Sequence, residues 1–192
     1  TVDGQLQFRA DVGNDVADSS IRFFIDGTNE KLRITSDGEL LVGVTAARTM
    51  LSGYTPSLQV EGTANSDSSV SIVENISAAS GPSLWFGKTR GTSLGANTVV
   101  QSGDELGTIV FNGADGTDVQ SMAAFIRASV DGTPGSNDMP GRITFHTTDD
   151  GSASPTERLR IDSSGNVMMG TISATAEFLS LIHISEPTRQ IR

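Results

Sequence analysis

Cysteine is absent from the 192-residue chain, which rules out a disulfide framework and thiolate zinc sites together. It leaves the compartment open, because a surface or virion protein can be stable without disulfides. Aromatic residues are scarce at 5 %, and hydrophobic residues make up 36 %, low against the ~45–50 % apolar usage, glycine included, of a compact globule. Positive charge is short as well: 13 Lys and Arg face 23 Asp and Glu, for a formal net charge of −10. With no basic cluster, the positive footprint that nucleic-acid binding needs is missing. The acidic surplus favours solubility and resists nonspecific association. No run approaches the ~18 apolar residues of a membrane span, and no signal-peptide pattern opens the chain. Neither nucleic acid nor membrane insertion is expected. The sequence starts at Thr1 rather than Met and is read as a fragment.

Helical periodicity is almost as rare. Short alternating runs bounded by Gly, Asp, Asn, Ser and Pro fill the chain instead, the signature of strands and turns. Candidate strands are residues 5–9, 20–26, 31–35, 39–42, 57–61, 70–75, 83–88, 98–101, 105–112, 123–131, 142–147, 158–162 and 166–169. Turns recur about every 8–12 residues, as in all-β architecture. The best helix candidate, "VQSMAAFIR" at 119–127, alternates Phe125, Arg127 and Ser129 against Ala124, Ile126, Ala128 and Val130, and is read as a strand. Residues 63–69, 133–137 and 149–156 are read as loops, the last because Pro and small polar residues oppose ladder pairing.

One stretch is written twice. Residues 30–43 read "EKLRITSDGELLVG" and residues 157–170 read "ERLRIDSSGNVMMG"; 7 of the 14 positions coincide. Strand alternation puts Leu32 and Ile34, or Leu159 and Ile161, on one face, with Lys31, Arg33 and Thr35, or Arg158, Arg160 and Asp162, on the other. Gly38 or Gly165 then supplies the positive φ of a tight turn, and Leu40 and Val42, or Val167 and Met169, return to the apolar face. Gly43 and Gly170 close the two copies. Each copy therefore predicts a β-hairpin with one apolar and one charged face. Upstream, "SIRFFID" and "GRITFHTTD" extend each hairpin to a three-strand meander. The spacing suggests modules in series: residues 1–43 as the end of one, 44–56 as a linker, 57–171 as a complete module and 172–192 as a non-native or disordered tail.

The hairpin pattern resembles the "RLRIDSSGNVGIGT" punctuation of bacteriophage tail-fibre proteins. "GPSLWFGKTRGTS", "VVQSGDELGTIVFNGADGTD", "RASVDGTPGSNDMPGRITFHTT" and "PTERLRIDSSGNV" follow in the order those fibres use. The resemblance covers residues 57–171 and, more weakly, 1–43. Met168–Met169 departs from the family's Gly-Ile at the hairpin end. The resemblance implies a trimeric, elongated virion appendage used in host attachment, with other tail proteins and a host cell-surface receptor or glycan as partners. Members of the family often end in an intramolecular chaperone that releases itself with a Ser–Lys dyad; no such domain is visible here, and no autoproteolytic residue is carried over. Residues 179–189, "LSLIHISEPTR", resemble the in-frame translation of a sequencing-library adapter. The other reading is a genuine terminal strand or helix docking Leu179, Leu181, Ile182 and Ile184.

Each candidate for chemistry has a plainer structural reading. His146 in "TFHTT" would need a Ser and an acid nearby to form a triad, and a strand-surface or hydrogen-bonded core role is expected instead. Asp104–Glu105 and Asp149–Asp150 are adjacent acids, but glycosidases need two carboxylates facing across a cleft, and neighbours on a strand point apart. The loop "NGADGTD" at 112–118 is oxygen-rich yet lacks EF-hand spacing, and Asx turns explain it. "GKTRGTSLG" misses the phosphate-loop spacing. Trp85 is expected in a buried or interface packing role. No catalytic, metal or cofactor residue is assigned.

The expectation is an all-β protein of antiparallel meanders and hairpins in an elongated fibre module. Apolar faces such as Ile109, Phe111, Ile126 and Ile143 would stay poorly covered in one copy, and three chains around an axis would close them. The functional expectation is a structural segment of a phage tail fibre. The alternatives are a cellular surface adhesin or repeat protein, and a tailspike-type glycan depolymerase.

Overall fold

A computed structural model of the chain describes residues 8–10 and 17–170. The tail, with its adapter-like stretch and Leu179, Leu181, Ile182 and Ile184, lies outside the described residues, as does most of the candidate strand at 5–9. The described chain is β throughout, and it divides into two units, Thr1–Leu84 and Trp85–Arg192.

The first unit holds a four-stranded sheet of β1 (Ile21–Ile25), β2 (Asn29–Ile34), β3 (Leu40–Val42) and β4 (Leu58–Val60), in that order. Asp26 and Gly27, at φ +53° and +82°, turn β1 into β2, the left-handed pair that an Asp-Gly hairpin uses. The β1–β2 and β2–β3 pairs are antiparallel, whereas β3 and β4 run parallel, a departure from the antiparallel expectation. Parallel neighbours need a crossover of a dozen or so residues, and residues 43–57 provide it. That crossover lies on one face of the sheet: Arg48 N donates to Gln59 Oε1 at 2.9 Å, and Gln59 Nε2 donates to the Pro56 carbonyl at 3.0 Å. Leu41, level with Gln59 on that face, is fully buried.

The second unit holds a five-stranded antiparallel meander of β5 (Glu105–Gly113), β6 (Ser121–Val130), β7 (Gly141–Thr148), β8 (Pro155–Ile161) and β9 (Val167–Met169). The helix candidate at 119–127 is strand from Ser121 onward, within β6, as its alternation predicted. Pro155 and Thr156, expected in a loop, instead open β8. At a strand's first residue the missing proline N–H costs little. Three further expectations fail: residues 70–75, 83–88 and 98–101 form no strand. Their alternation is genuine, but they are paired into neither sheet, although Phe86 packs against Gly107 of β5 and Val100 is buried.

Candidate functional site

Register determines which side chains share a face. In the first sheet two rows cross all four strands, Phe23–Leu32–Val42–Val60 and Ile21–Ile34–Leu40–Leu58, and both are wholly apolar. Between them, on the opposite face, runs Arg22–Arg33–Leu41–Gln59. The second sheet repeats the arrangement. Ile109–Ile126–Phe145–Leu159–Met169 and Gly107–Ala128–Ile143–Ile161–Val167 form one face, and Val110–Phe125–His146–Glu157 with Thr108–Arg127–Thr144–Arg160–Met168 form the other.

The duplicated hairpin superimposes at the level of individual bonds. Thr35 N donates to the Glu39 carbonyl and Asp162 N to the Asn166 carbonyl, each at 3.0 Å; Gly38 N reaches Thr35 O at 3.1 Å and Gly165 N reaches Asp162 O at 3.0 Å. Gly43 N donates to Lys31 O at 3.2 Å and Gly170 N to Arg158 O at 2.9 Å. All four glycines sit at positive φ: +89° and +83° for Gly38 and Gly165, +80° and +74° for Gly43 and Gly170. Leu32 and Ile34 align with Leu159 and Ile161 on the apolar faces.

Sequence reasoning missed one shared device. Each hairpin's first strand carries a β-bulge, in which Lys31 and Arg158 have no partner, so pairing passes from Phe23–Leu32 to Phe24–Glu30 and from Phe145–Leu159 to His146–Glu157. Strict alternation would put residues three apart on opposite faces. The bulge resets the phase, so Glu30 meets Arg33 and Glu157 meets Arg160 on one face. Both pairs are two-pronged, at 2.7 and 2.9 Å in the first copy and 2.8 and 2.8 Å in the second. The Arg33 guanidinium holds the Glu30 carboxyl below its ordinary range. The signal available in the sequence was the recurrence of Glu and Arg at the same spacing in both copies.

The polar face of the second sheet is closed by its own side chains. Phe125 and His146 stack at 4.0 Å, and the Arg127 guanidinium lies 4.5 Å over the Phe125 ring. His146 Nε2 is 3.1 Å from Thr144 Oγ1. Burial lowers the His146 pKa; Glu157 opposes this while Arg127 and Arg160 add to it. Three of the four acids singled out as possible catalysts are engaged. Asp104 is gripped by Arg90 through two bonds of 2.7 Å, which push its pKa far below the ordinary range. Glu105 pairs with Arg127 at 2.6 Å, and Asp149 pairs with Arg158. In the 112–118 loop, Asp115 accepts from Thr117 N at 2.8 Å and from Ser121 Oγ at 2.8 Å, an Asx turn. Among the described residues no group of His and acidic side chains is arranged to hold a metal. Asp131 accepts from Ser163 N at 2.9 Å and from Arg142 Nη1 at 2.9 Å, which latches the second hairpin turn to the β6–β7 connection. Trp85 is 87 % exposed in the single chain.

The apolar faces of both sheets are only half covered. Ile109 is 47 % and Phe111 53 % exposed, and Phe23, Ile34, Leu58, Ile161, Val167 and Met169 are exposed too.

No protein-family model matches the chain, and no curated protein matches it. Among solved structures, the all-β architecture is similar to that of bacteriophage tail-fibre domains. The carboxy-terminal domain of the bacteriophage T5 L-shaped tail fibre is similar to it, with a TM-score of 0.56 and 18 % identity over 84 % of this chain and 69 % of that one. The same T5 domain together with its intramolecular chaperone domain gives a TM-score of 0.62 and 19 % identity, again over 84 % of this chain, which spans about half (48 %) of that longer one. At these identities the likeness establishes the fold.

Proposed function

We propose that the chain is a structural segment of a phage tail fibre, resident in the virion, in which three copies close around an axis and act as shaft or spacer in host-surface attachment. The observation that supports this most is the fold shared with the T5 tail-fibre domain across 84 % of the chain, alongside the ordered series of tail-fibre motifs. The half-covered apolar rows add to it, since one face per sheet has the composition of a core and lacks a cover. Burying such rows stabilises by roughly 25 cal/mol per Å² of apolar surface, and a cyclic arrangement lets one patch serve every copy.

On this reading Leu32, Ile34, Gly38, Gly43, Leu159, Ile161, Gly165 and Gly170 are stability residues of a repeated punctuation hairpin. Residues 1–43 end one module, 44–56 link it to the next, and 57–171 form that next module, with 172–192 a non-native or disordered tail. Attachment is multivalent: three chains present weak contacts at high effective concentration to a host receptor or glycan, through loops rather than sheets. Other tail proteins adjoin the fibre at its ends. Light scattering combined with negative-stain microscopy of the full chain tests this; trimers seen as rods are expected. A folded, stable monomer would overturn the assembly. Oligosaccharide release from a host polysaccharide would move the assignment to an enzymatic tailspike.

A further inference from the structure

The two sheets share three strands in the same register. Phe23–Leu32–Val42 and Ile21–Ile34–Leu40 across β1–β3 correspond to Phe145–Leu159–Met169 and Ile143–Ile161–Val167 across β7–β9. What lies beyond the third strand differs. After Gly43 the first copy crosses over and lays β4 parallel to β3: Leu40 N donates to Ser57 O at 2.7 Å, and Glu61 N donates to Val42 O at 3.0 Å. In the second copy β9 ends its sheet, with β8 on one side and no strand of the described residues on the other. The N–H and C=O of one strand residue point the same way, so Val167 and Met169, the counterparts of Leu40 and Val42, present theirs to the open edge. Exposure follows the same difference. Leu41 is fully buried with Leu40 and Val42 half-buried, whereas Met168 is only half-buried with Val167 and Met169 exposed at 55 % and 49 %. Gly43 and Gly170 hold the same positive φ. A Cβ on Gly43 would collide with the Glu61 carbonyl at the end of β4; around Gly170 that space is open among the described residues.

We infer that the open edge of β9 takes a parallel strand of β4's chemistry, two apolar side chains flanking a carboxamide, brought in by a crossover the length of residues 43–57. The first copy specifies this occupant. There Leu58 and Val60 continue the two apolar rows, and Gln59 ties the crossover down by accepting from Arg48 N and donating to the Pro56 carbonyl. Carried forward by the offset between the two hairpins, Leu58, Gln59 and Val60 fall on Ser185, Glu186 and Pro187, which do not repeat that pattern. The inference stands apart from the proposed trimer, because every bond it adds lies within one chain.

A graft within the full chain tests it: residues 171–189 are replaced by the sequence of residues 44–62. Hydrogen exchange is read at Val167 and Met169, with Leu40 and Val42 as internal standards. In the parent chain the two β9 amides should exchange at least about tenfold faster than the standards. In the graft they should slow to match them. Gly170→Ala gives a second readout by denaturant melts, since it should destabilise the graft, where the added strand crowds it, more than the parent. A graft in which Val167 and Met169 exchange as they do in the parent would overturn the inference. So would a graft that breaks the meander, because a strand belonging at that edge extends the sheet without disturbing it. Protection of both amides in a monomeric parent would show that residues 171–192 fill the edge and that β4's chemistry is not required. Protection in the parent that disappears on dilution to monomers would make a second copy the occupant, and either result overturns the inference. Failure of the chain to form trimers leaves it standing.

Discussion

At the residue scale the two hairpins offer a matched experiment, because the same position is occupied by the same glycine in different surroundings. A Cβ on Gly43 would sit 2.2 Å from the Glu61 carbonyl oxygen, whereas one on Gly170 would meet nothing within 4 Å among the described residues. Both glycines have positive φ, so each alanine variant costs about 1–2 kcal/mol of left-handed strain. Gly43→Ala adds a backbone clash that only movement of β4's end can relieve. Denaturant melts should therefore rank Gly43→Ala well below Gly170→Ala; equal losses would mean that the β3–β4 contact yields freely. His146 makes a second residue-scale prediction. Burial holds its folded pKa below the ordinary value, with Arg127 and Arg160 reinforcing and Glu157 opposing. The unfolded chain then takes up the proton first, so this contribution is present above about pH 6.5 and is lost as pH falls toward the lower folded value. Glu30, Asp131 and Asp162 have folded pKa values below ordinary, held down respectively by Arg33, by the Ser163 N–H and by Asn166. Their contribution is present above roughly pH 4 and is lost only below it. Urea midpoints across pH should show two separate declines, and His146→Gln should abolish the upper one alone.

At the scale of elements, the legible part of the fold was the apolar rows. Leu32, Ile34, Leu159 and Ile161 announce their face because alternation is local. The turns announce themselves because Asp26–Gly27, Gly38 and Gly165 supply a conformation few other residues tolerate. Register was not legible, and three things hidden by it were missed: the bulges at Lys31 and Arg158, the Glu–Arg pairs those bulges create, and the stacking of His146 on Phe125. A bulge residue looks like any outward-facing residue until its partner strand is known. The parallel β3–β4 pair was hidden for the same reason. The stretches at 70–75, 83–88 and 98–101 show the converse: alternation reports a half-buried pleated surface without saying whose strand lies beside it. A hairpin exchange tests whether the duplicated element is a true unit. Placing residues 30–43 at 157–170 keeps the bulge, the Glu–Arg pair, both glycines and the Ser that bonds Asp131. The remaining changes include Asp162→Thr, Ser164→Asp and Asn166→Glu, which exchange the Asp162–Asn166 bonds of one turn for the Thr35–Glu39 bonds of the other, so the chimera should fold with a loss of no more than about 2 kcal/mol. Deleting Arg158 removes the bulge residue but leaves Glu157 and Leu159 opposite His146 and Phe145, so every side chain keeps its face. What is lost is the Arg158 side chain with its bonds to Asp149 and Thr147, so that variant should still unfold cooperatively, with a loss of about 1–3 kcal/mol.

At the scale of the whole molecule the question is which face of each sheet is the interior one. Composition alone points to the Ile109 face, but exposure in the single chain does not discriminate: Ile109 is 47 % exposed and its neighbour Val110, on the opposite face, 44 %. The near-equality makes the pair informative. Val110 shares its row with Phe125, His146 and Glu157, a face already roofed by Arg127, Arg160 and their partners, so an added carboxylate there meets water and cations. Ile109 shares its row with Ile126, Phe145, Leu159 and Met169, which have nothing polar to offer one. In the proposed trimer, Ile109→Asp gives up about 2 kcal/mol of apolar burial in each chain. Three chains lose it together, about 6 kcal/mol in all, equivalent to roughly 10⁴-fold in the association constant, before any cost of burying the charges. Val110→Asp should leave association within about tenfold of wild type, and both variants should keep the β circular dichroism of the parent. Sedimentation over a dilution series separates the outcomes. Dissociation by Val110→Asp with Ile109→Asp assembling normally would put the wrong face of the sheet at the axis, and equal indifference to both would remove the sheet faces from the assembly.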